Sequence, residues 1–170
     1  MNYEIDIQSR DDLLSKQLFE LVQWFKEGFG NIAIQWAQPE YYVRSTSDSE
    51  IISRVGILEH KISFNKHSLN VDGITGVITR SECTRNGIGS CMLKDTAVFI
   101  SNNFNIDFGL LLCRDEVASF YEKLGWKVVD GPTSFYQPQG KMIFPRLTMV
   151  LERGQVPWPT GAMDLCGLPW

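Results

Sequence analysis

The stretch from Gly76 to Met92, GVITRSECTRNGIGSCM, constrains this chain more than any other. An apolar run of β type passes through a short polar loop holding Gly87 and Gly89, then enters a helical pattern. A strand, a glycine-bearing turn and a helix N-terminus make an anion site from backbone alone. The first N–H groups of a helix have no internal partner, and the helix dipole favours negative charge there. Glycine lets the main chain approach a phosphate closely, and Arg85 adds a guanidinium on the approach side. The segment points to a pyrophosphate-bearing ligand.

The sequence on either side sets the fold class. Tyr3 to Gln8 alternates as a strand, and Ser9 with Asp12 resembles a helix N-cap with an acidic first turn. Leu13, Leu14, Leu18, Leu21, Val22 and Phe25 recur at helical spacing until Gly28 or Gly30, and residues 31–40 read as irregular or as a short helix. Strands are expected over Tyr41–Arg44, Ile51–Phe64 and Leu69–Arg80, with turns at Ser45–Ser49 and Asn65–Ser68. Gly73 and Gly76, inside the last of these, mark a bulge or a close backbone approach. A helix over Gly87–Asn102, a buried strand over Phe108–Cys113 and a short helix from Val117 to Leu124 follow. Trp126–Val129 reads as a strand, Gly131–Ser134 as a turn, Phe144–Glu152 as the last strand, and the rest as a Pro/Gly/Trp-rich tail. This order predicts an α/β fold with a mixed sheet, residues 1–170 forming one domain.

Charge and composition narrow the function. A net charge of −4 without a Lys/Arg run argues against a nucleic-acid binder and mildly suits a cationic substrate. The polar, acidic start MNYEIDIQSRDD is unlike a secretory leader, and no apolar run reaches the roughly 18 residues of a membrane span. Cys83, Cys91, Cys113 and Cys166 lack CxxC spacing, so reduced thiols in a cytoplasmic protein are expected. With His60 and His67 as the only histidines, no metal site is expected.

Taken alone, the glycine loop fits an ordinary helix start as well as a phosphate site. A dinucleotide fold needs G-x-G-x-x-G after an early strand, and a Walker A loop needs Gly-Lys-Ser/Thr; neither is present. A second segment, Ala118-Ser119-Phe120-Tyr121-Glu122-Lys123-Leu124-Gly125-Trp126, changes the balance. Together the two segments resemble the GNAT superfamily of N-acetyltransferases. Arg85, Gly87 and Gly89 stand for its Q/R-x-x-G-x-G/A loop, and Ala118, Tyr121, Gly125 and Trp126 for its A-x-x-x-Y-x-x-x-G-F/W helix. One departure is Thr84, where the family has Gln or Arg three residues before the first glycine.

That resemblance implies a GNAT fold whose two splayed parallel strands hold acetyl-CoA. It implies that Val77 and Thr79 pair with the pantetheine amides, and that Arg85, Asn86, Gly87, Ile88, Gly89 and Ser90 receive the pyrophosphate. It also implies that Tyr121 protonates the departing thiolate; a phenol near pKa 10 can do so for a thiol near about 8.5. The plainer reading of Tyr121 is a core residue on a short amphipathic helix. Asp72, Glu82, His60 or a water relay are the candidates for taking the amine's proton.

Residues 69–170 are similar, more narrowly, to the aminoglycoside 2′-N-acetyltransferases, through Leu110-Leu111, Phe120-Tyr121, Gly125-Trp126 and Gly131-Pro132-Thr133-Ser134. The tail, Trp158-Pro159-Thr160-Gly161 with Asp164 and Gly167, resembles that of the nodulation N-acyltransferases. Both relatives act on amino sugars, which implies a small-molecule amine acceptor, with Asp164 and Trp170 on the substrate side. The tail reads equally as a strap covering the core. Dimers are common in these families. Thr75 occupies the position where the aminoglycoside enzymes carry a strand glutamate. Another small amine or a peptide as acceptor, a longer acyl donor, and a CoA-binding module without catalysis are the alternatives.

Overall fold

The computed structural model describes residues 2–29, 34–65 and 67–170. The elements are β1 (Glu4–Ser9), α1 (Ser15–Phe29), β2 (Tyr41–Ser47), β3 (Glu50–Phe64), β4 (His67–Thr79) and α2 (Ile88–Asn103). They continue with β5 (Phe108–Cys113), α3 (Ala118–Glu122), β6 (Lys127–Val128), β7 (Thr133–Gln137), β8 (Gly140–Ile143), β9 (Leu147–Glu152) and β10 (Met163–Asp164). The strands join one mixed sheet in the order β6-β9-β5-β4-β3-β10-β7-β8, with β2 on β3 and β1 on β2. The expected α/β class is the observed one. Among the described residues no helix is long and apolar enough to cross a membrane.

By Cα proximity the chain divides into two units: Met1–Ala33, Pro39–Leu58 and Thr75–Asn103 form the first, and Ile34–Gln38, Glu59–Ile74 and Phe104–Trp170 the second. In the first unit β1, β2 and β3 pair antiparallel. The β2–β3 turn is tighter than the Ser45–Ser49 cluster suggests. Ser47 pairs with Glu50, and only Asp48 (φ 50°) and Ser49 (φ 67°) lie between. Two successive positive φ values suit the right-handed twist of a two-residue hairpin. Ser9 accepts from the Asp11 N–H at 3.3 Å, but it caps a 3₁₀ turn at Arg10–Asp12. The start of α1 is closed instead by Gln17, whose side chain accepts from the Leu14 N–H at 3.1 Å. Leu13, Leu21, Tyr42 and Ile51 form a core cluster, with Leu18 and Trp24 packed against it.

In the second unit β5 lies between β4 and β9. It pairs parallel through Asp72–Gly109, Gly73–Leu110 and Ile74–Leu111, and antiparallel along its whole length with β9. Its residues are buried on both faces of the sheet, which is why Phe108, Leu110, Leu111 and Cys113 sit in an unbroken apolar run. Two expectations fail here. Thr133 and Ser134, read as turn residues, begin β7, which pairs with β8 in a hairpin. All of β8 is exposed, so no alternation of apolar residues betrays it. In the tail, Met163 and Asp164 form β10 between β3 and β7, a strand made by its neighbours rather than by its own composition. The predicted turn at Asn65–Ser68 shortens as well, because β4 already begins at His67; Lys66, and residues 31–33 of the ambiguous segment, fall outside the described residues.

Candidate active site

The first unit holds the glycine loop and the end of β4. The Arg80 N–H donates to the Ile52 carbonyl of β3 at 2.9 Å. Backbone groups alternate along a strand, so Ile78 also faces β3 while the N–H and C=O of Val77 and Thr79 point to the opposite edge. Ser53 of β3 holds the same stretch, donating to the Ile78 carbonyl at 3.0 Å and lying 2.9 Å from the Thr79 hydroxyl. Within β4, Gly76 has φ 55°, a left-handed conformation that glycine adopts without steric cost. A Cβ there would fall 2.5 Å from Arg54 Nη2 and 2.9 Å from Phe25 Cδ2, so the site demands glycine for space as well as for backbone.

Past β4, a 3₁₀ turn at Ser81–Cys83 leads into an exposed loop with φ 63° at Arg85 and φ 77° at Gly87. α2 then starts at Ile88, with the Cys91 N–H on the Gly87 carbonyl at 3.1 Å. Its first turn carries no acidic residue, and nothing lies within 4 Å of a Cβ built on Gly87. The first N–H groups of this 16-residue helix, which have no partner within it, thus begin beside the open space at Gly87, with Arg85, Asn86, Gly89 and Ser90 around them. Such a terminus can hold a phosphate. Glu82, beside it, is exposed; hydrogen bonds from its own backbone and from Ser81 hold its carboxyl below the usual range, so it is a poor proton acceptor.

The second unit carries the other candidates. The Leu124 and Trp126 N–H groups both donate to the Tyr121 carbonyl, at 2.9 and 3.2 Å, and Gly125 at φ 90° ends α3. The Tyr121 ring is 8% exposed, edge-on to Phe120 at 5.0 Å and to Trp126 at 6.2 Å. Burial, then the nearby Cys113, pushes its phenol above the ordinary value. Burial and Asp115 push Cys113 up to about 11. Both groups are therefore protonated at neutral pH.

His60 Nε2 lies 2.6 Å from the Leu165 carbonyl, which can only accept, so Nε2 carries the proton. Its ring is 4.9 Å from that of Trp170. The Trp170 side chain is buried, its indole donating to the Leu110 carbonyl at 3.2 Å. Asp164 accepts from Lys141 at 2.6 Å and from the Cys166 N–H at 2.8 Å. Among the described residues no group of His, Cys, Asp or Glu is placed to hold a metal ion.

Asp72 is fully buried on β4, where it pairs with Arg153 through Oδ2 while Oδ1 lacks a partner. Burial pushes its carboxyl up to about 6 against the opposing pull of Arg153, with Glu59 adding to the rise. A folded-state value above the unfolded one means that the folded chain holds more protons, so stability falls as pH rises from about 4 to about 6. That contribution is on the order of 3 kcal/mol by pH 7. Urea unfolding at pH 4.5 and pH 7 is expected to show this slope flattened in Asp72→Asn. An identical slope in both proteins would refute it.

The predicted residues divide between the units. Val77, Thr79 and Arg85 to Ser90 adjoin along the first, whereas Tyr121, Asp164 and Trp170 belong to the second. Sequence reasoning missed Arg54 and Arg153. The signal for Arg54 was a lone charge inside the apolar strand IISRVGIL; for Arg153 there was none.

A strand running into a left-handed loop and a helix N-terminus can take an extended ligand that carries a phosphate. Comparison with known proteins agrees. The family described as "Acetyltransferase (GNAT) domain" matches residues 15–129. ElaA of Escherichia coli superposes with a TM-score of 0.67 at 15% identity, over 89% of this chain and 100% of that one. An acyl-CoA N-acyltransferase from Pseudomonas aeruginosa gives 0.63 at 15% identity, over 88% and 99%. The GNAT family N-acetyltransferase YhbS of Escherichia coli, solved in complex with CoA, gives 0.61 at 13% identity, over 96% and 89%. No curated protein matches the sequence. The chain belongs to the GNAT acetyltransferase family, an acyltransferase with acetyl-CoA as its co-substrate.

Proposed function

We propose that this enzyme, residues 1–170 acting as one acyltransferase domain in the cytoplasm, moves an acetyl group from acetyl-CoA directly to a primary amine of an amino sugar of the aminoglycoside kind. The observation that carries the transfer is the free edge of β4 at Val77 and Thr79, running into the loop and the N-terminus of α2. A pantetheine arm can pair there as an added strand, its amide N–H on the Val77 carbonyl and its amide carbonyl on the Thr79 N–H. The Val77 N–H is then left for the thioester oxygen, where a fixed donor stabilises the developing negative charge. Arg85, Asn86 and the N–H groups from Gly87 to Ser90 receive the pyrophosphate.

Acetyl-CoA supplies the activated acyl carbon. The amine nitrogen bonds to that carbon, the C–S bond breaks, and Tyr121 gives its proton to the thiolate. The amine's own proton must leave, to Asp72, Glu82, His60 or a water relay. Asp72 is bound to Arg153 through Oδ2 but has Oδ1 without a partner, Glu82 is a weakened base, and His60, with its proton on Nε2, keeps Nδ1 as an acceptor. For the acceptor, the support is the likeness of residues 69–170 to amino-sugar enzymes and the net charge of −4, which suits a polycation. On this reading Asp164 and Trp170 lie on the acceptor's side.

One observation favours a different small amine or a peptide. Thr75 stands where the aminoglycoside enzymes carry a glutamate, and it is buried with Cγ2 only 2.8 Å from a Cβ built on Gly56. Free-thiol release from acetyl-CoA across aminoglycosides, amino sugars, polyamines and peptides decides between them. Turnover with a 2′-amino aminoglycoside is expected. Turnover with other amines alone would discard that acceptor and keep the transfer.

A further inference from the structure

Among the described residues three charged side chains are almost wholly buried: Arg44, Arg54 and Asp72. Asp72 has Arg153, and Arg44 has Asp6 and Gln8. Arg54, at 1% exposure, has no carboxylate partner among the described residues. The ladder explains the shortage. Asp6 pairs with Arg44 across β1 and β2, and Arg44 with Arg54 across β2 and β3, so one carboxylate serves a row holding two guanidiniums.

Arg54 is held by other means. Its Nη1 donates to the Leu21 carbonyl of α1. Its guanidinium lies 5.1 Å from the Tyr42 ring centre and 5.4 Å from that of Phe25. Its Nε has no hydrogen-bond partner. Burial lowers it to about 10, a value that still leaves it charged at neutral pH. Burying a cation without a counter-ion is costly, and a brace between α1 and β4 does not require a charge. What the charge adjoins is Gly76. Arg54 Nη2 and Cζ lie 2.5 and 3.0 Å from where a Gly76 Cβ would stand, so the guanidinium abuts the Gly76 Cα, to which the Gly76–Val77 peptide is joined. The N–H of that peptide points to the free edge of β4.

We propose that Arg54 is a positioning residue for acetyl transfer, its uncompensated charge acting through the Gly76–Val77 peptide to strengthen the hydrogen bond from the Val77 N–H to the thioester oxygen. The inference rests on the reading of the β4 edge as the thioester site. An N–H donor backed by a cation in a water-poor interior polarises a carbonyl more than the same donor alone. Asp6 is occupied by Arg44, so it does not quench this charge.

The test needs no acceptor. Acetyl-CoA labelled with ¹³C at the thioester carbonyl is bound to the full chain, and the shift of its infrared stretch from the free value is read beside its dissociation constant. In the unaltered protein the band moves to lower wavenumber. Arg54→Met, which keeps the apolar stem, is expected to lose at least half of that shift with the dissociation constant within threefold, and Arg54→Lys to keep most of it. Phe25→Glu sets a carboxylate where the ring now lies against the guanidinium. It neutralises the charge without removing the side chain, is expected to lose the same fraction, and decides the matter if Arg54→Met does not fold. A full shift in either neutralised protein overturns the role of Arg54. Binding without any shift in the unaltered protein overturns it too. Failure of the unaltered protein to bind acetyl-CoA overturns the reading of the β4 edge itself.

Discussion

Gly76→Ala is expected to cost about 2–5 kcal/mol, the sum of about 1–2 for a left-handed residue with a Cβ and about 1–3 for overpacking. The first part follows from φ 55°. The second follows from a methyl placed 2.5 Å from Arg54 Nη2 and 2.9 Å from Phe25 Cδ2, where a buried guanidinium would have to move. Against a total of about 5–15 kcal/mol for a typical domain, such a loss is large. Gly87→Ala is the control. Its φ is 77° but nothing lies within 4 Å, so it pays only the backbone part. Urea midpoints of the two variants should therefore differ clearly. Equal losses would mean that the neighbours of Gly76 give way and the collision counts for nothing. Acetyl-CoA affinity should fall in both, in Gly76→Ala through β4 and in Gly87→Ala through the loop.

Tyr121→Phe should leave the fold in place and remove about 10²-fold from the rate of thiol release, the lower end of what a positioned acid contributes. The ring packs against Phe120 and Trp126 through its edges, and phenylalanine keeps those contacts. Because burial and Cys113 raise the phenol, it remains a donor throughout an ordinary assay range, and the alkaline limb of the pH profile should not belong to it. The dissociation constant of acetyl-CoA should change less than threefold. A rate within threefold of the unaltered enzyme would return Tyr121 to the role of a core aromatic.

Much of this was legible in the residues. Helix α2 and strand β5 lie within one residue of expectation, because each rests on a local signal: glycines before a helical repeat, and a short unbroken apolar run. Of Gly73 and Gly76, read as marks of a bulge or a close approach, Gly76 is left-handed and closely approached by Arg54 and Phe25, whereas Gly73 pairs regularly with Leu110. The hairpin of β7 and β8 was hidden, for the whole of β8 faces solvent and its Lys141-Met142-Ile143 carries no period of two. Nor could β10 be foreseen, two residues in a proline-rich tail that become a strand only between β3 and β7.

The same line runs through the site. The order of strand, left-handed loop and helix is local chemistry. Sequence by itself therefore determined the α/β class, the glycine loop before α2 and the α3 segment that carries Tyr121. Which side chains are spent on one another is a matter of distance across strands that are remote in sequence. The pairing of Asp72 with Arg153, of Asp164 with Lys141 and of His60 with the Leu165 carbonyl came only from tertiary structure. So did the burial of Arg54 without a carboxylate among the described residues, because a missing counter-ion is a matter of which side chains the fold brings near.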